Sequence, residues 1–554
     1  MRRISYLFVA LLMCGMAMAQ PESWAKKAVK SLFTVKTFDA NGGLLGSGNG
    51  FFVSETGDAV GCFAPFNGAA RAIVIDAAGK EYAVDYIVGA SEVYDVAKFH
   101  VNIKKSFPIA VGSPATVETA MWLMPYAQKT AKTIEGKVVK VEKVNNDNNY
   151  YSLTLNAPEN TVGCPLLNAA GEVVGLLQGG GSAEKQYAVD INMALGLKAS
   201  GLAINDPTLK LTSIKKALSD DMPEALVSLF IGSTALDSIA MNTLVDDFIA
   251  KFPTSVDGYV YRANRECAAA DFSSADNDMQ TALKVGDKKE EAHYNYAKMM
   301  LDKIVYVPNV TFDAWTLDKA LSEVEAAISV SPASHYRQLK AQILFVQEKY
   351  ADAAAIYKLL VDEGFTTAEN YFGIARCHEM QKDTTSCIAM LDSAVATFSR
   401  PYLKEAAPYI MARAQMLLNV GKYRQAVNDL NDYEQLMIAF VNDNFYYVRS
   451  QAEKNGRLYK QALDDLRKAI QMSPENTFYM AEKASLELRL GLYDDVIATA
   501  KECISADQKL SDGYLFLGVA QCAKGEKAEG LKNLAKAKEL GDNQAQTFIE
   551  KYSK

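Results

Sequence analysis

Histidine is scarce in this chain of 554 residues: four in all, His100, His293, His335 and His378, scattered along it. With no Cys-x-x-Cys pair to join them, no zinc site of ordinary spacing is present. Cysteine is scarce too, and eight in a chain this long do not make a disulfide scaffold. The 15 prolines and 34 glycines exclude a collagen-like or low-complexity chain, and 49% hydrophobic with 22% charged residues excludes wholesale disorder. A basic excess is also missing. The 58 lysines and arginines face 66 aspartates and glutamates, a net charge of −8, which argues against a nucleic-acid partner. Residues 20–200 are close to neutral, so the acidity lies in residues 201–554. Neither part holds a block of like charges that would mark a disordered tail. No apolar run approaches the ~20 residues that span a membrane.

What is present begins with MRRISYLFVALLMCGMAMA. Arg2 and Arg3 precede an apolar run from Ile4 to Met13, and Ala17-Met18-Ala19 precedes Gln20. This reads as a cleavable signal peptide over residues 1–19, cut after Ala19, which sends the chain to a periplasm or out of the cell. Met13 before Cys14 is too bulky for a lipoprotein signal. Removal of the signal leaves an odd number of cysteines: Cys62, Cys164, Cys267, Cys377, Cys387, Cys503 and Cys522.

From about residue 210 the chain takes on helical apolar spacing. Phe272, Ala275, Met279 and Ala282 recur as Leu317, Ala320, Val324 and Ala327, then as Tyr350, Ala353, Tyr357 and Leu360, and so on to Lys527, Gly530, Leu534 and Ala537. The small position recurs every 33 to 39 residues apart from one interval of 45, which places an insertion around Val305 to Asp313. A second small position precedes six of the blocks, at Ala263, Ala341, Ala375, Ala414, Ala484 and Gly518. This pattern resembles the tetratricopeptide repeat. The resemblance implies an all-α superhelix of about eight helical hairpins over residues 255–554, closed by a capping helix near the C-terminus. Such a stack would bind proteins or peptides on its concave face.

Residues 20–200 read instead as short strands, among them 31–37, 50–54, 72–76, 96–101, 136–144, 152–155 and 173–177, separated by Gly, Asn and Asp turns. Three segments resemble trypsin-like serine proteases of the HtrA type. They are Gly48-Asn49-Gly50-Phe51-Phe52-Val53-Ser54, Tyr94-Asp95-Val96-Ala97-Lys98-Phe99, and Asn160-Thr161-Val162-Gly163-Cys164-Pro165-Leu166 followed by Gly171-Glu172-Val173-Val174-Gly175. The resemblance implies an N-terminal trypsin-like double β-barrel, joined through a helical linker (201–254) to the repeats.

Carried over position by position, the family's aspartate falls on Asp95, its histidine on Ala64 and its serine on Val162, while Asn160 replaces the glycine that shapes the oxyanion hole. Two of three triad positions then hold side chains that neither attack a carbonyl nor move a proton. The expected function is a non-catalytic pseudoprotease scaffold, without cofactor or metal, binding proteins or peptides through the repeats and the barrel groove. The alternative is a serine- or cysteine-type endopeptidase with a non-standard site, for which Cys164 and His100 are the available groups. The resemblance also brings Cys62 and Cys164 to where the two barrels meet, and a disulfide between them is expected there. The glycine clusters 42–50 and 179–181 continue into no Gly-Lys-Ser/Thr sequence, so they read as turns rather than phosphate loops.

Overall fold

A computed structural model describes residues 21–125, 132–144, 148–182 and 184–554. The expected signal peptide, its cleavage site and Cys14 lie outside the described residues. The chain divides into two compact units, Met1–Asp287 and Lys288–Lys554, and each is treated by itself.

In the first unit twelve strands close into two barrels among the described residues. β1 (Leu32–Phe38), β2 (Leu44–Phe52), β3 (Asp58–Gly61), β4 (Arg71–Asp76), β5 (Glu81–Ser91) and β6 (Val96–Val101) form the first, in the order β1-β2-β3-β6-β5-β4. β7 (Ala120–Leu123), β8 (Ile134–Val144), β9 (Asn148–Thr154), β10 (Pro165–Leu167), β11 (Val173–Leu177) and β12 (Lys185–Asp190) form the second, in the order β10-β11-β12-β9-β8-β7. Closure removes the sheet edges that would otherwise pair with other chains. Phe33, Phe52, Phe66 and Phe99 fill the first barrel, and Met121, Leu123, Tyr151, Leu166 and Leu177 the second. Between them Phe51, Val60, Val96, Leu167, Val173 and Val189 join the barrels in one apolar cluster. Inside the second barrel the Tyr151 hydroxyl and the Asn149 amide both donate to Asp190 Oδ2 at 3.1 Å, a buried polar network that strand periodicity does not announce.

The stretch 201–254 departs from a helical linker. Asn205-Asp206-Pro207 interrupts helical spacing, and residues 201–221 form an irregular strap bonded to the first barrel. Gly68 N donates to Leu211 O (2.7 Å), and Ile87 exchanges backbone bonds with Lys215 and Ala217 (2.8 Å each). Ala203, Leu209 and Ile214 complete the barrel core. Helix begins at Met222, where Asp221 accepts from Glu224 N and a proline occupies the first turn. Met222–Ala235 and Ser238–Lys251 make one hairpin, and Val256–Ala268 with Phe272–Val285 a second.

The second unit holds seven further hairpins, from Lys289–Tyr306 with Leu317–Val330 to Ser511–Lys524 with Lys527–Glu539, and ends on Ala545–Ser553. The expected insertion is both a helix extension to Tyr306 and a loop running to Thr316. In seven hairpins of the chain the residue two places before the second helix is left-handed: Ala270, Glu348, Lys382, Gly421, Arg457, Gly491 and Gly525. That conformation lets the chain reverse within a few residues, and glycine adopts it without strain.

A second recurrence crosses the hairpins. Arg262–Asp278, Arg413–Asp429 and Arg449–Asp465 are each sixteen residues apart, and each is a two-bond ion pair with distances of 2.6–3.0 Å. Arg449 also donates to Glu434 Oε2 at 2.6 Å. Glu453, one helical turn beyond Arg449, is 3% exposed, and its Oε2 finds no hydrogen-bond partner. Burial first, and the neighbouring Asp465 carboxylate second, push Glu453 up to about 8, against the pull of Arg449 and Lys468. The folded chain therefore holds a proton on Glu453 that the unfolded chain releases at lower pH. This contribution to stability is intact below the ordinary glutamate range and is lost as pH rises towards 8. Thermal unfolding of Glu453→Gln should match the native chain near pH 5. At pH 9 it should occur higher, by roughly 2–4 °C for each kcal/mol relieved.

Candidate functional site

The site assembles from three segments of the first unit: the turn before β6, the turn after β3, and the loop before β10. Asp95 closes the turn that starts at Glu92, with its amide donating to Glu92 O at 3.2 Å and φ at +43°. That twist aims its carboxylate at the chain after β3, where Oδ1 accepts the amide hydrogens of Phe63 (2.8 Å) and Ala64 (2.6 Å). Burial raises the Asp95 carboxyl above the ordinary aspartate range, and the two amide bonds work against the rise. Ala64 opens a single 3-10 turn, Ala64–Phe66, whose Pro65 carbonyl accepts from Thr37 Oγ1 at 2.5 Å.

The loop before β10 is held from the other side by Asn49 of β2. Its Nδ2 donates to Asn160 O (2.8 Å) and Val162 O (3.0 Å). Asn160 is left-handed at φ +61° and Gly163 at +85°. A Cβ on Gly163 would lie 2.4 Å from Asn49 O and 3.2 Å from Cys62 N, so only glycine lets this loop seat so closely on the first barrel. Gly46, Gly48 and Gly50, expected in a turn, lie within β2, where a Cβ on Gly48 would meet Cys62 Sγ at 2.6 Å.

Ala64 thus lies against Asp95, and Val162 lies on the loop beside Cys62, whose Sγ is 4.0 Å from Val162 O. Cys62 and Cys164 are both buried thiols in the structure. Their segments abut, but the side chains face different surroundings. Cys62 sits with Pro65 against Gly48, while Cys164 belongs to the core of the second barrel with Leu166 and Leu177. Burial, reinforced by the nearby Asp95 charge, pushes the Cys62 thiol up to about 12.

His100 is elsewhere. It points outward from β6, with Nδ1 3.2 Å from Asp58 Oδ1 and its ring stacked on Tyr86 at 5.0 Å. Asn49 is the member of this site that sequence reasoning passed over. Its position between two glycines of the opening hairpin, in Gly48-Asn49-Gly50, is the only trace of it in the sequence.

Residues 48–176 match the family described as trypsin-like peptidase domain. The chain carries a trypsin-like peptidase domain followed by a run of helical hairpins. Over 95 residues it is 32% identical to the small glutamine-rich tetratricopeptide repeat-containing protein 2 of Saccharomyces cerevisiae, a stretch that is 17% of this chain and 28% of the yeast protein. The chain therefore spans little more than a quarter of that relative. Among solved structures, the active form of the Rv3671c protease from M. tuberculosis aligns with 31% of this chain and 80% of its own, at 16% identity and a TM-score of 0.27. No described helix is long and apolar enough to cross a membrane. Among the described residues no group of three or more His, Cys, Asp or Glu side chains converges as metal ligands would.

A thiolate is the reactive form of cysteine, and a thiol held near 12 does not ionise at neutral pH. Iodoacetamide at pH 8 should leave Cys62 unmodified in the folded protein and modify it within minutes in denaturant without reductant, as read by peptide mass mapping. Modification that requires a reductant would mean that the bridge between Cys62 and Cys164 forms in the protein.

Proposed function

We propose that the chain is a secreted or periplasmic protein-binding scaffold in which a trypsin-like barrel of the HtrA type no longer cleaves peptides. One observation carries the reading. The carboxylate of Asp95 takes the backbone amides of Phe63 and Ala64 on Oδ1, and the residue that stands at the triad histidine's position, Ala64, offers only a methyl group in place of an imidazole. Val162 brings an isopropyl group where an attacking hydroxyl would stand. In a serine triad, loss of the nucleophile or of the base alone lowers turnover by about a million-fold, and the two losses do not add. The barrel then offers a cleft that can hold an extended segment without cutting it, and the hairpins offer a surface for a protein partner.

A peptidase built on other groups would need a base beside a nucleophile. His100 is engaged with Asp58 and Tyr86 on the outer face of the first barrel, and Cys164 is packed in the core of the second. This arrangement favours the binding reading.

Incubation of the chain from Gln20 onward with a proteome-derived peptide library should yield no cleavage products beyond those of a buffer control. The same protein, crosslinked in its native extract, should retain a reproducible protein partner. A consistent cleavage motif that disappears on a point change within the barrel would overturn the proposal.

A further inference from the structure

We propose that a cleft in the first unit, away from Ala64, Asp95 and Val162, is a docking site for an acidic, aromatic-containing segment of a partner protein. The cleft has a volume of about 1070 Å³ and runs between the N-terminal helix Pro21–Ala28, its 3-10 extension Val29–Ser31, and the first barrel. Its floor is formed by the partly exposed Ala77, Tyr82 and Ile103, backed by the buried Val29 and Phe52. Its rim carries Lys26, Lys30 and Lys105.

Three features set the chemistry of the occupant. First, the three ammonium groups are exposed and make no ion pair among the described residues. The one carboxylate in the lining, Asp76, is occupied by its own turn, where Oδ1 accepts from Ala78 N and Lys80 N at 2.9 Å each. Lys26 and Lys30 stand one helical turn apart, a like-charge pair that destabilises a helix unless an anion lies against it. Three positive charges against the single carboxylate of Asp76 leave a net positive field over the apolar lining of the cleft. Second, Phe107 is 50% exposed at the rim, with Lys30 Nζ 5.5 Å from its ring centre. A cation over an aromatic face leaves an edge on which a further ring can pack. Third, the volume stands at the upper end of the roughly 300–1,000 Å³ of sites that enclose a small molecule, and is roomy enough for a short run of chain. Carboxylates flanking an aromatic side chain satisfy rim and floor together, which neither a simple anion nor a neutral peptide does.

Fluorescence anisotropy of the chain from Gln20 onward with a labelled peptide of alternating Glu and Phe tests this, with a Gln-for-Glu counterpart as the neutral probe. The acidic peptide should bind, and should weaken as salt is raised to ~0.3 M. It should lose about tenfold in affinity in Lys30→Glu with Lys105→Glu, and also in Phe107→Ala, which changes no charge. Circular dichroism of each variant should match the native protein. No binding, equal affinity for the Gln peptide, or unchanged affinity in both variants would overturn the proposal, as would binding to phosphatidylglycerol vesicles in place of the peptide. Because none of Ala64, Asp95 and Val162 lines this cleft, failure here leaves the peptide-library result standing on its own.

Discussion

The contact between the Asp95 carboxylate and the amides of Phe63 and Ala64 is the constraint on which the turn after β3 and the loops packed around it depend. It holds the turn after β3 in one conformation, and that turn places Pro65 and Cys62 against Gly48. Cys62 in turn lies against the loop of Val162, which Asn49 pins from β2. Bonds to a charged acceptor are worth about 1.5–3 kcal/mol each when shielded from water, and loss of the acceptor would leave the part-buried Phe63 amide unsatisfied, while the exposed Ala64 amide could turn to water. A carboxylate retained for this purpose needs no imidazole partner.

The same economy of recurring local contacts organises the helical region. Small side chains let the two helices of a hairpin approach, a left-handed residue turns the chain between them, and in three hairpins an Arg–Asp pair sixteen residues apart ties them together. Such buried pairs contribute little net stability compared with apolar packing, but removal of one partner strands a charge. They fix which faces meet more than they strengthen the stack. Around Arg449 the pairing extends to Glu434 and leaves Glu453 without a partner for one oxygen, and Glu266, one turn beyond Arg262, is left the same way.

Much of this was legible in the residues. The hairpins followed from the repeating small positions, and seven strands from their apolar alternation. The strands that escaped have physical reasons. In β5 the alternation is broken by register shifts between Val84 and Tyr86 and between Ile87 and Gly89. β3 and β10 have four and three residues, too short to show a period. The strap 201–221 owes its course to bonds with Gly68, Ser213 to Ala69, and Ile87, which no local pattern encodes. At the site, Ala64, Asp95 and Val162 were named from their motifs, whereas Asn49 was not, because an amide acting through two backbone carbonyls 111 and 113 residues away leaves no signature in its own segment.

The central claim is that the barrel holds no activated nucleophile. Treatment of the folded chain with a fluorophosphonate serine probe, followed over time and mapped by mass spectrometry, tests it most directly. The account predicts no barrel residue labelled above the level seen in denatured protein. Time-dependent labelling of the barrel that a single substitution within it abolishes would contradict it.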